Sequence, residues 1–197
     1  LVFGALAAAV PDSIQADCGM MDLMTFQGKH RDGHDVSTIY FASGGFGALA
    51  GMDGAETTPG PSNMAVVPVE VWETLTSTSI EHKALLPNSG GAGEFRGGLG
   101  QEVVIRNDSG HLMTVFCMAN RTEFPPLGLM GGAPGQAREH RVNDVTVDPK
   151  GHYELAPGDR ITLIEAGGGG FGDPKDRAQT AINADLAEGF ITPDGLD

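Results

Sequence analysis

The apolar positions of the first forty residues predict a helix, an irregular stretch and a strand. Residues 1–10 are apolar apart from Gly4, and Pro11 closes them, which predicts a short helix buried against sequence further upstream. A run of about ten residues is too short to cross a bilayer. Residues 14–33 are rich in methionine and are predicted to be irregular. Residues 36–42 are β-branched and aromatic and predict a strand.

A second helix is predicted from Pro68, because proline is favoured at the start of a helix. Val71, Trp72 and Leu75 then continue the i, i+3, i+4, i+7 spacing of one helical face. The Thr and Ser residues after Glu73 weaken this helix and leave its end open.

Short strands separated by turn residues are predicted beyond residue 81. Residues 103–106 and 112–119 are two of them, and the second is apolar on both alternating faces, as in a buried central strand. Residues 142–147 lead into a Pro- and Gly-containing turn, so residues 153–155 are expected to pair back as a hairpin.

A last strand, residues 160–165, and a last helix flank a run of glycines. Asp173 is the predicted N-cap of this helix, Pro174 its first residue, and Gly189 its end. Its apolar stripe consists of Ala178, Ala181, Ile182 and Leu186.

Together these elements predict an α+β fold with a mainly antiparallel β-sheet, a few helices and Gly-rich loops. We expect residues 1–80 to form one segment (helix, strand, helix). Residues 81–197 are then a β-rich domain ending in a helix. A chain of 197 residues is long enough to bury a core in this arrangement.

The net charge indicates which binding partners are excluded, and the position of the two cysteines indicates how reactive their thiols are. The formal net charge of −14 argues against a nucleic-acid surface, which needs clustered Lys and Arg, and no membrane association is expected. A cytoplasmic location fits these features. Cys18 and Cys117 lie far apart, and Cys117 falls in an apolar strand with no base beside it, so both are expected to be inert thiols.

The thirty glycines fall in clusters rather than in a fixed period. Consecutive glycines before a helix leave N–H groups for an anion, which predicts loops that bind substrate or phosphate. Tight packing of these loops between layers or subunits is the alternative. The predicted loop residues are Gly90, Gly91, Gly93, Gly97, Gly98, Gly131, Gly132, Gly168, Gly169, Gly170 and Asp173.

Arg96 and Arg121 are isolated cations beside glycine- or proline-rich loops. Each can hold a carboxylate or phosphate with two parallel hydrogen bonds, or instead pair with a local carboxylate such as Glu94 or Glu123. The chain contains no Walker A sequence, so ATP binding through a P-loop is not expected.

A histidine-rich segment offers ligands that a divalent metal can use: His30, Asp32 and His34. Gly33 argues against a helical i, i+4 ligand pair, and the polar surroundings favour a solvated loop. We therefore predict no metal site in this chain, with His30 and His34 as the alternative ligands. The other histidines are expected to be structural.

Four motifs in order resemble the hydantoinase B/5-oxoprolinase family. They are the glycine-rich stretch 86–100 around Arg96, Asn120-Arg121, the Pro- and Gly-rich stretch 125–135, and residues 155–174. Ser62-Asn63 with Pro68-Val69-Glu70 is also similar to a family segment. A His-Thr-His-like stretch that often precedes the Asn is replaced here by residues 56–62, which contain no histidine.

The resemblance implies part of an ATP-dependent enzyme that hydrolyses a cyclic amide or imide ring, such as hydantoin or 5-oxoproline. It implies ATP and Mg²⁺ in the assembly, and Zn²⁺ or Mn²⁺ in an N-terminal half of the same subunit. The expected partners are that half, an A-type ATPase subunit and a small-molecule substrate. Asn63, Arg96 and Arg121 are the expected catalytic residues, and this chain alone is expected to be inactive.

Two alternatives stay open at this point. The segment can be a structural and assembly domain whose loops pack against the A-type partner. The assembly can also be an ATP-dependent ketone carboxylase of the acetone or acetophenone type rather than a ring hydrolase.

Overall fold

The computed structural model describes residues 2–58, 60 and 66–196, and in these the chain forms two antiparallel sheets with three α-helices. The strands are β1 Met21–Lys29, β2 Asp35–Ser43, β3 Thr78–Leu85, β4 Gln101–Asn107, β5 Met113–Cys117, β6 Glu139–Val142, β7 Val145–Val147, β8 His152–Leu155 and β9 Arg160–Ile164. The α-helices are α1 Val2–Leu6, α2 Val69–Thr76 and α3 Gln179–Glu188. Short 3₁₀ helices occupy Pro11–Ser13, Pro174–Asp176 and Pro193–Leu196.

The first sheet has the strand order β2-β1-β5-β8 and the second the order β3-β4-β9-β6-β7. The prediction of a mainly antiparallel α+β fold with few helices is confirmed. Strands from both predicted segments share the first sheet, and the predicted boundary at residue 80 falls inside β3. The division of the chain into two domains stays a prediction.

Strand alternation builds the core between the two sheets. On β1, every second side chain is buried, which directs Asp22, Met24 and Phe26 inward. Inward-facing residues of β2, β4, β5, β8 and β9 join the same hydrophobic cluster. Trp72 of α2 enters it with its ring edge-on to Phe26 and Tyr40, at centroid distances of 5.2 and 4.8 Å. The predicted second helix is therefore confirmed, and its indole anchors it.

The prediction of an irregular stretch at residues 14–33 is wrong, because β1 occupies much of it. The period of two was present in the sequence, but a carboxylate, Asp22, stands at one of its inward positions and interrupts the apolar pattern. β1 is long enough to pair with both β2 and β5.

The predicted hairpin between residues 142–147 and 153–155 is also wrong. β6 and β7 form their own hairpin across Asn143 and Asp144, which both have positive φ, as a two-residue hairpin turn requires. Since β7 already pairs with β6, β8 pairs with β5 in the other sheet. Residues 112–119 do contain a central strand, β5, but only one face is buried, and Phe116 and Met118 are 38% and 58% exposed.

Both terminal helices differ from expectation. α1 is shorter than predicted and none of its side chains is buried by the described residues, so its burial against sequence further upstream stays a prediction. The last helix is divided: Asp173 caps only the 3₁₀ helix Pro174–Asp176, Arg177 and Ala178 are extended, and α3 then begins at Gln179. Gly189 ends α3 in the left-handed conformation, as predicted.

Candidate functional site

The glycine clusters meet one another inside the chain. Residues 167–172 are all buried and run through the centre of the other glycine-rich segments. A Cβ at Gly97 would lie 2.0 Å from the carbonyl oxygen of Gly168, and one at Gly168 would lie 2.0 Å from that of Phe46. Such distances leave no room for any side chain, so these glycines allow main chain to pack on main chain.

Hydrogen bonds between these segments use the N–H groups that were expected to face an anion. Gly168 donates to the carbonyl of Gly98, Gly169 to that of Asp17 and Gly170 to that of Ala133. Gly91, Gly97, Gly98 and Gly132 donate to main-chain carbonyls in the same way. The structure thus favours the packing alternative for these positions, with the packing partner supplied by the same chain.

A second group of predicted residues surrounds a small cavity. Gly90, Gly93 and Arg96 line a space of about 190 Å³ together with Arg177 and Asp185. Its two arginine side chains are only 7% and 9% exposed, and both Nε atoms are buried without a hydrogen-bond partner.

Carboxylates neutralise these two arginines. Arg96 donates to Glu56 at 2.7 Å and lies 3.4 Å from Asp185. Arg177 donates to Asp53 at 2.8 Å and to Asp185 at 2.7 Å. Burial raises the pKa of Asp53, but hydrogen bonds from Arg177 and from the Arg96 amide outweigh it and hold that pKa below its ordinary value. The cavity is thus lined by ion pairs between three acidic side chains and two arginines, and these ion pairs hold α3 against the glycine-rich segments.

Arg121 is less fully engaged than Arg96. Its guanidinium has one ion pair in the described residues, to Asp17 at 3.2 Å, and its Nε is buried without a hydrogen-bond partner. Its φ of +61° places a non-glycine residue in the left-handed region, where strain is found at functional sites. The two residues that follow it, Thr122 and Glu123, line a cleft of about 530 Å³.

Four charged side chains missed by sequence reasoning meet under this cleft: Asp22, Arg138, His140 and Glu165. All four side chains are completely buried. Arg138 Nε donates to Glu165 at 2.8 Å, and His140 Nε2 lies 2.5 Å from Asp22 Oδ2. The guanidinium also donates to the carbonyls of Gly19, Met20 and Asn120, each at 3.0 Å.

Burial and pairing shift the pKa values of this buried charge cluster. Burial disfavours the imidazolium, but the bond to Asp22 overcomes it and raises the pKa of His140 to about 10. Burial raises the pKa of Glu165 to about 7, against the opposing charge of Arg138. The pKa of Asp22 stays below its ordinary value, because His140 and Arg138 outweigh the effect of burial.

The ligand atoms of Asp22, His140 and Glu165 lie within 4.8 Å of one another, a spacing that a metal ion can use. These residues nevertheless do not fit a divalent cation. Arg138 already supplies the positive charge that these carboxylates need, and its guanidinium lies beside both Asp22 and Glu165 in the space that an ion would occupy. We derive no metal chemistry from this cluster.

Cys117 adjoins His140, and this neighbour corrects the expectation that no base lies near the thiol. The two residues are remote in sequence, and the pairing of β6 with β9 brings His140 inward. With Cys117 only 3% exposed and His140 fully buried, the pair is shielded from solutes.

Asn63, the remaining predicted catalytic residue, lies outside the described residues. His30, Asp32 and His34 form the turn between β1 and β2. Asp173 accepts a hydrogen bond from the Lys175 amide, so its carboxylate caps the 3₁₀ helix.

The buried charge cluster was detectable in the sequence by one signal. Asp22 stands in an inward position of an alternating strand, and Glu165 stands between an apolar strand and four glycines. A charge in such a position is buried and needs a partner. The sequence does not identify that partner, because Arg138 is 116 residues from Asp22.

A family model described as hydantoinase B/oxoprolinase matches residues 1–174. The chain belongs to this family. Its glycine core and the Asn120-Arg121 region lie within the matched residues, whereas α3 lies beyond them.

Among curated relatives, the caprolactamase β subunit of Pseudomonas jessenii is 30% identical over 211 residues, covering 97% of this chain and 36% of the relative. A putative B-type subunit of a D-/L-hydantoinase, from Pseudomonas sp. (strain NS671), is 26% identical over 198 residues, covering 95% and 33%. This chain thus spans about a third of these two relatives.

Two solved structures share the fold. The ATP-dependent caprolactamase of Pseudomonas jessenii superposes with a TM-score of 0.84 at 24% identity, over 97% of this chain and 36% of that one. Nucleotide-free acetone carboxylase superposes with a TM-score of 0.77 at 20% identity, over 96% and 30%. In the described part of the chain, no helix has the length and apolarity that a membrane crossing demands.

Proposed function

We propose that this chain is part of a B-type subunit in an ATP-dependent enzyme that hydrolyses a cyclic amide or imide ring. The observation that carries the proposal is the family match over residues 1–174, supported by relatives named as a caprolactamase and a hydantoinase subunit that align with nearly the whole chain.

The chemistry that we propose begins with ATP, Mg²⁺ and an A-type ATPase subunit. Transfer of the γ-phosphoryl group to the ring carbonyl oxygen releases ADP and makes the carbon electrophilic. Water then adds to that carbon, and the ring C–N bond breaks as the nitrogen takes up a proton, which leaves an acyl phosphate. A second water hydrolyses the acyl phosphate to the carboxylate and inorganic phosphate. A cation near the oxygen stabilises the negative charge that develops on it.

Among the predicted catalytic residues, Arg121 has the features that best suit this role. It has a single ion pair in the described residues, a left-handed backbone and a position beside an open cleft. Arg96, whose charge is matched by Glu56 and Asp185, is proposed to hold the glycine segments in place. Asn63 remains a proposed catalytic residue. We also propose that Zn²⁺ or Mn²⁺ is held by the N-terminal half of the subunit.

The test uses the native assembly, purified with all its co-purifying chains. ATP-dependent opening of hydantoin, 5-oxoproline and caprolactam is measured by product formation and phosphate release. Arg121→Ala is expected to lower kcat by about 100-fold or more, the scale of losing one charge-stabilising donor. Arg160→Ala is the matched control, because Arg160 is surface-exposed and pairs with Glu81. Complex formation by both variants is followed by size-exclusion chromatography.

Each competing function predicts a different result. If Arg121→Ala abolishes turnover only because the complex no longer assembles, the chain is a structural domain. If ATP turnover requires bicarbonate and a ketone, with no ring opened, the assembly is a carboxylase. The fold shared with acetone carboxylase is the specific observation that favours testing this second function.

A further inference from the structure

The turn between β1 and β2 brings three possible metal ligands to one point. His30 Nδ1 lies 3.0 Å and His34 Nδ1 lies 2.6 Å from the same oxygen, Asp32 Oδ1. The backbone holds this turn closed, because His30 N–H donates to the His34 carbonyl at 2.9 Å and Gly33 N–H to the His30 carbonyl at 2.8 Å. Gly33, at φ +93°, permits the tight reversal.

His30 has an acceptor beside each of its two ring nitrogens. Nε2 lies 3.2 Å from the main-chain carbonyl of Thr74 in α2, and Nδ1 faces the Asp32 carboxylate. A neutral imidazole carries one N–H, so when Nε2 donates to Thr74, the Nδ1 lone pair lies 3.0 Å from a negative oxygen, and its N–H donor in the described residues is the Asp32 amide at a long 3.4 Å. A cation between Nδ1 and the carboxylate converts this repulsion into two ligand bonds.

The contact with Thr74 is also the arrangement expected around a metal-bound histidine. Histidine ligands commonly donate their second ring N–H to a carbonyl or carboxylate, which fixes the tautomer and the ring orientation. Here that carbonyl belongs to α2, a helix anchored in the core by Trp72, so the His30 ring is held by the fold as well as by its own turn.

We propose that His30, Asp32 and His34 form a binding site for a divalent transition metal, with Zn²⁺ as the best-suited ion. Two imidazole nitrogens and one carboxylate oxygen suit zinc and are unsuited to Mg²⁺ or Ca²⁺, which take oxygen ligands. The exposed Asp32 and His34 leave the remaining coordination positions to water.

Charge and exposure at the turn agree with this assignment. The Lys29 ammonium pairs with Asp35 at 3.0 Å, and Arg31 Nε donates to Ser77, so neither cation occupies the ligand position. The two imidazole rings are stacked with their centroids 4.5 Å apart, and both Nδ1 atoms lie beside the same Asp32 oxygen. Because the His34 side chain is 57% exposed, its ring can shift to coordination distance without displacing packed atoms.

The test is a titration of the metal-stripped 197-residue chain with zinc chloride, and isothermal titration calorimetry measures the binding. One Zn²⁺ per chain is expected, and a Co²⁺ titration should show a visible spectrum typical of nitrogen and oxygen ligands. His34→Ala and Asp32→Asn are each expected to weaken Zn²⁺ binding by at least about tenfold. His82→Ala is the matched control, because His82 is a similarly exposed histidine on β3, away from this turn.

The assignment would be overturned by no stoichiometric Zn²⁺ binding of the wild-type chain, or by unchanged binding in both His34→Ala and Asp32→Asn. Equal loss in the His82→Ala control would also overturn it, since the binding would then not be local. Circular dichroism of each variant verifies the fold, which substitutions of the exposed His34 and Asp32 leave intact.

Discussion

Arg138 shows how much of this structure depends on single charged side chains. Its guanidinium contacts two buried carboxylates and several main-chain carbonyls from two different loops. An arginine so placed fixes the relative positions of β1, β6 and the loop that contains Asn120 and Arg121. The local geometry of the proposed catalytic residue therefore depends on a residue that touches no substrate.

Replacing Arg138 by Met is expected to lower the free energy of unfolding by about 3–5 kcal/mol, because Asp22 and Glu165 lose a buried partner. Urea denaturation of the variant and the wild-type chain measures the difference. Arg160→Met removes an exposed arginine of β9 and should cost less than about 1 kcal/mol. Equal effects of the two substitutions would contradict this account of the buried charge cluster.

His140 is expected to make the free energy of unfolding fall as the pH rises into the alkaline range. Its pKa rises on folding from 6.5 to about 10, so its contribution is complete below pH 6.5 and is lost as the pH rises through 10. Between pH 7 and 10, the free energy of unfolding should fall more steeply with pH in the wild type than in His140→Gln. The difference in slope is up to ~1.4 kcal/mol per pH unit, which corresponds to one proton.

Thermal denaturation across this pH range provides the measurement. His82→Gln should keep the wild-type slope, since that side chain is 53% exposed. Parallel slopes for wild type and His140→Gln would show that the imidazole keeps its ordinary pKa in the folded chain.

At the scale of elements, glycine-rich segments form a layer of packed main chain beside the two sheets. Their hydrogen bonds run between segments distant in sequence, such as Gly98 to Phe46 and Phe171 to Phe95. This layer replaces side-chain packing by main-chain contact, which explains why the family motifs consist so largely of glycine.

Gly168→Ala is expected to destabilise the chain by about 1–3 kcal/mol or more, since the new Cβ would lie 2.0 Å from the Phe46 carbonyl oxygen. The atoms that this Cβ would meet are main-chain atoms of Phe46 and Gly47, which cannot move aside as the end of a flexible side chain could. Gly4→Ala is the control, because no atom lies within 4 Å of that Cβ and alanine favours α1. Urea midpoints compare the two, and a tolerated alanine at residue 168 would show that the layer is loosely packed.

At the scale of the whole molecule, the chain spans about a third of the caprolactamase and hydantoinase subunits that it matches. Part of its surface is apolar: Phe116 and Met118 on the outer face of the first sheet, and Val2 and Phe3 on α1, are 38–70% exposed. In the function that we propose, the activity belongs to the assembly and this chain supplies part of the site.

The isolated 197-residue chain is accordingly expected to hydrolyse neither ATP nor a cyclic amide, while the native assembly does both. Phosphate release and ring-opened product, measured side by side for the two preparations, check this expectation. ATP turnover by the folded isolated chain would show that the nucleotide site does not depend on an A-type partner.

Several elements follow from local sequence alone. The stripe from Pro68 to Leu75 predicts α2, the apolar run after Arg160 predicts β9, and Gly189 marks the end of α3. Each depends on neighbours within one or two turns, so a short window contains the necessary information. The four motifs that resemble the family can also be recognised in the sequence in the expected order, and they correctly indicated the family.

Tertiary structure alone decided which of these elements meet. The partner of β8 is β5 rather than β7, Asp22 finds His140 across 118 residues, and Gly168 packs on Phe46 from the same chain. These contacts depend on the competition of all buried surfaces for a common core. The residues that meet are far apart in the sequence, and the periodicity of a single helix or strand does not indicate which distant element it packs against.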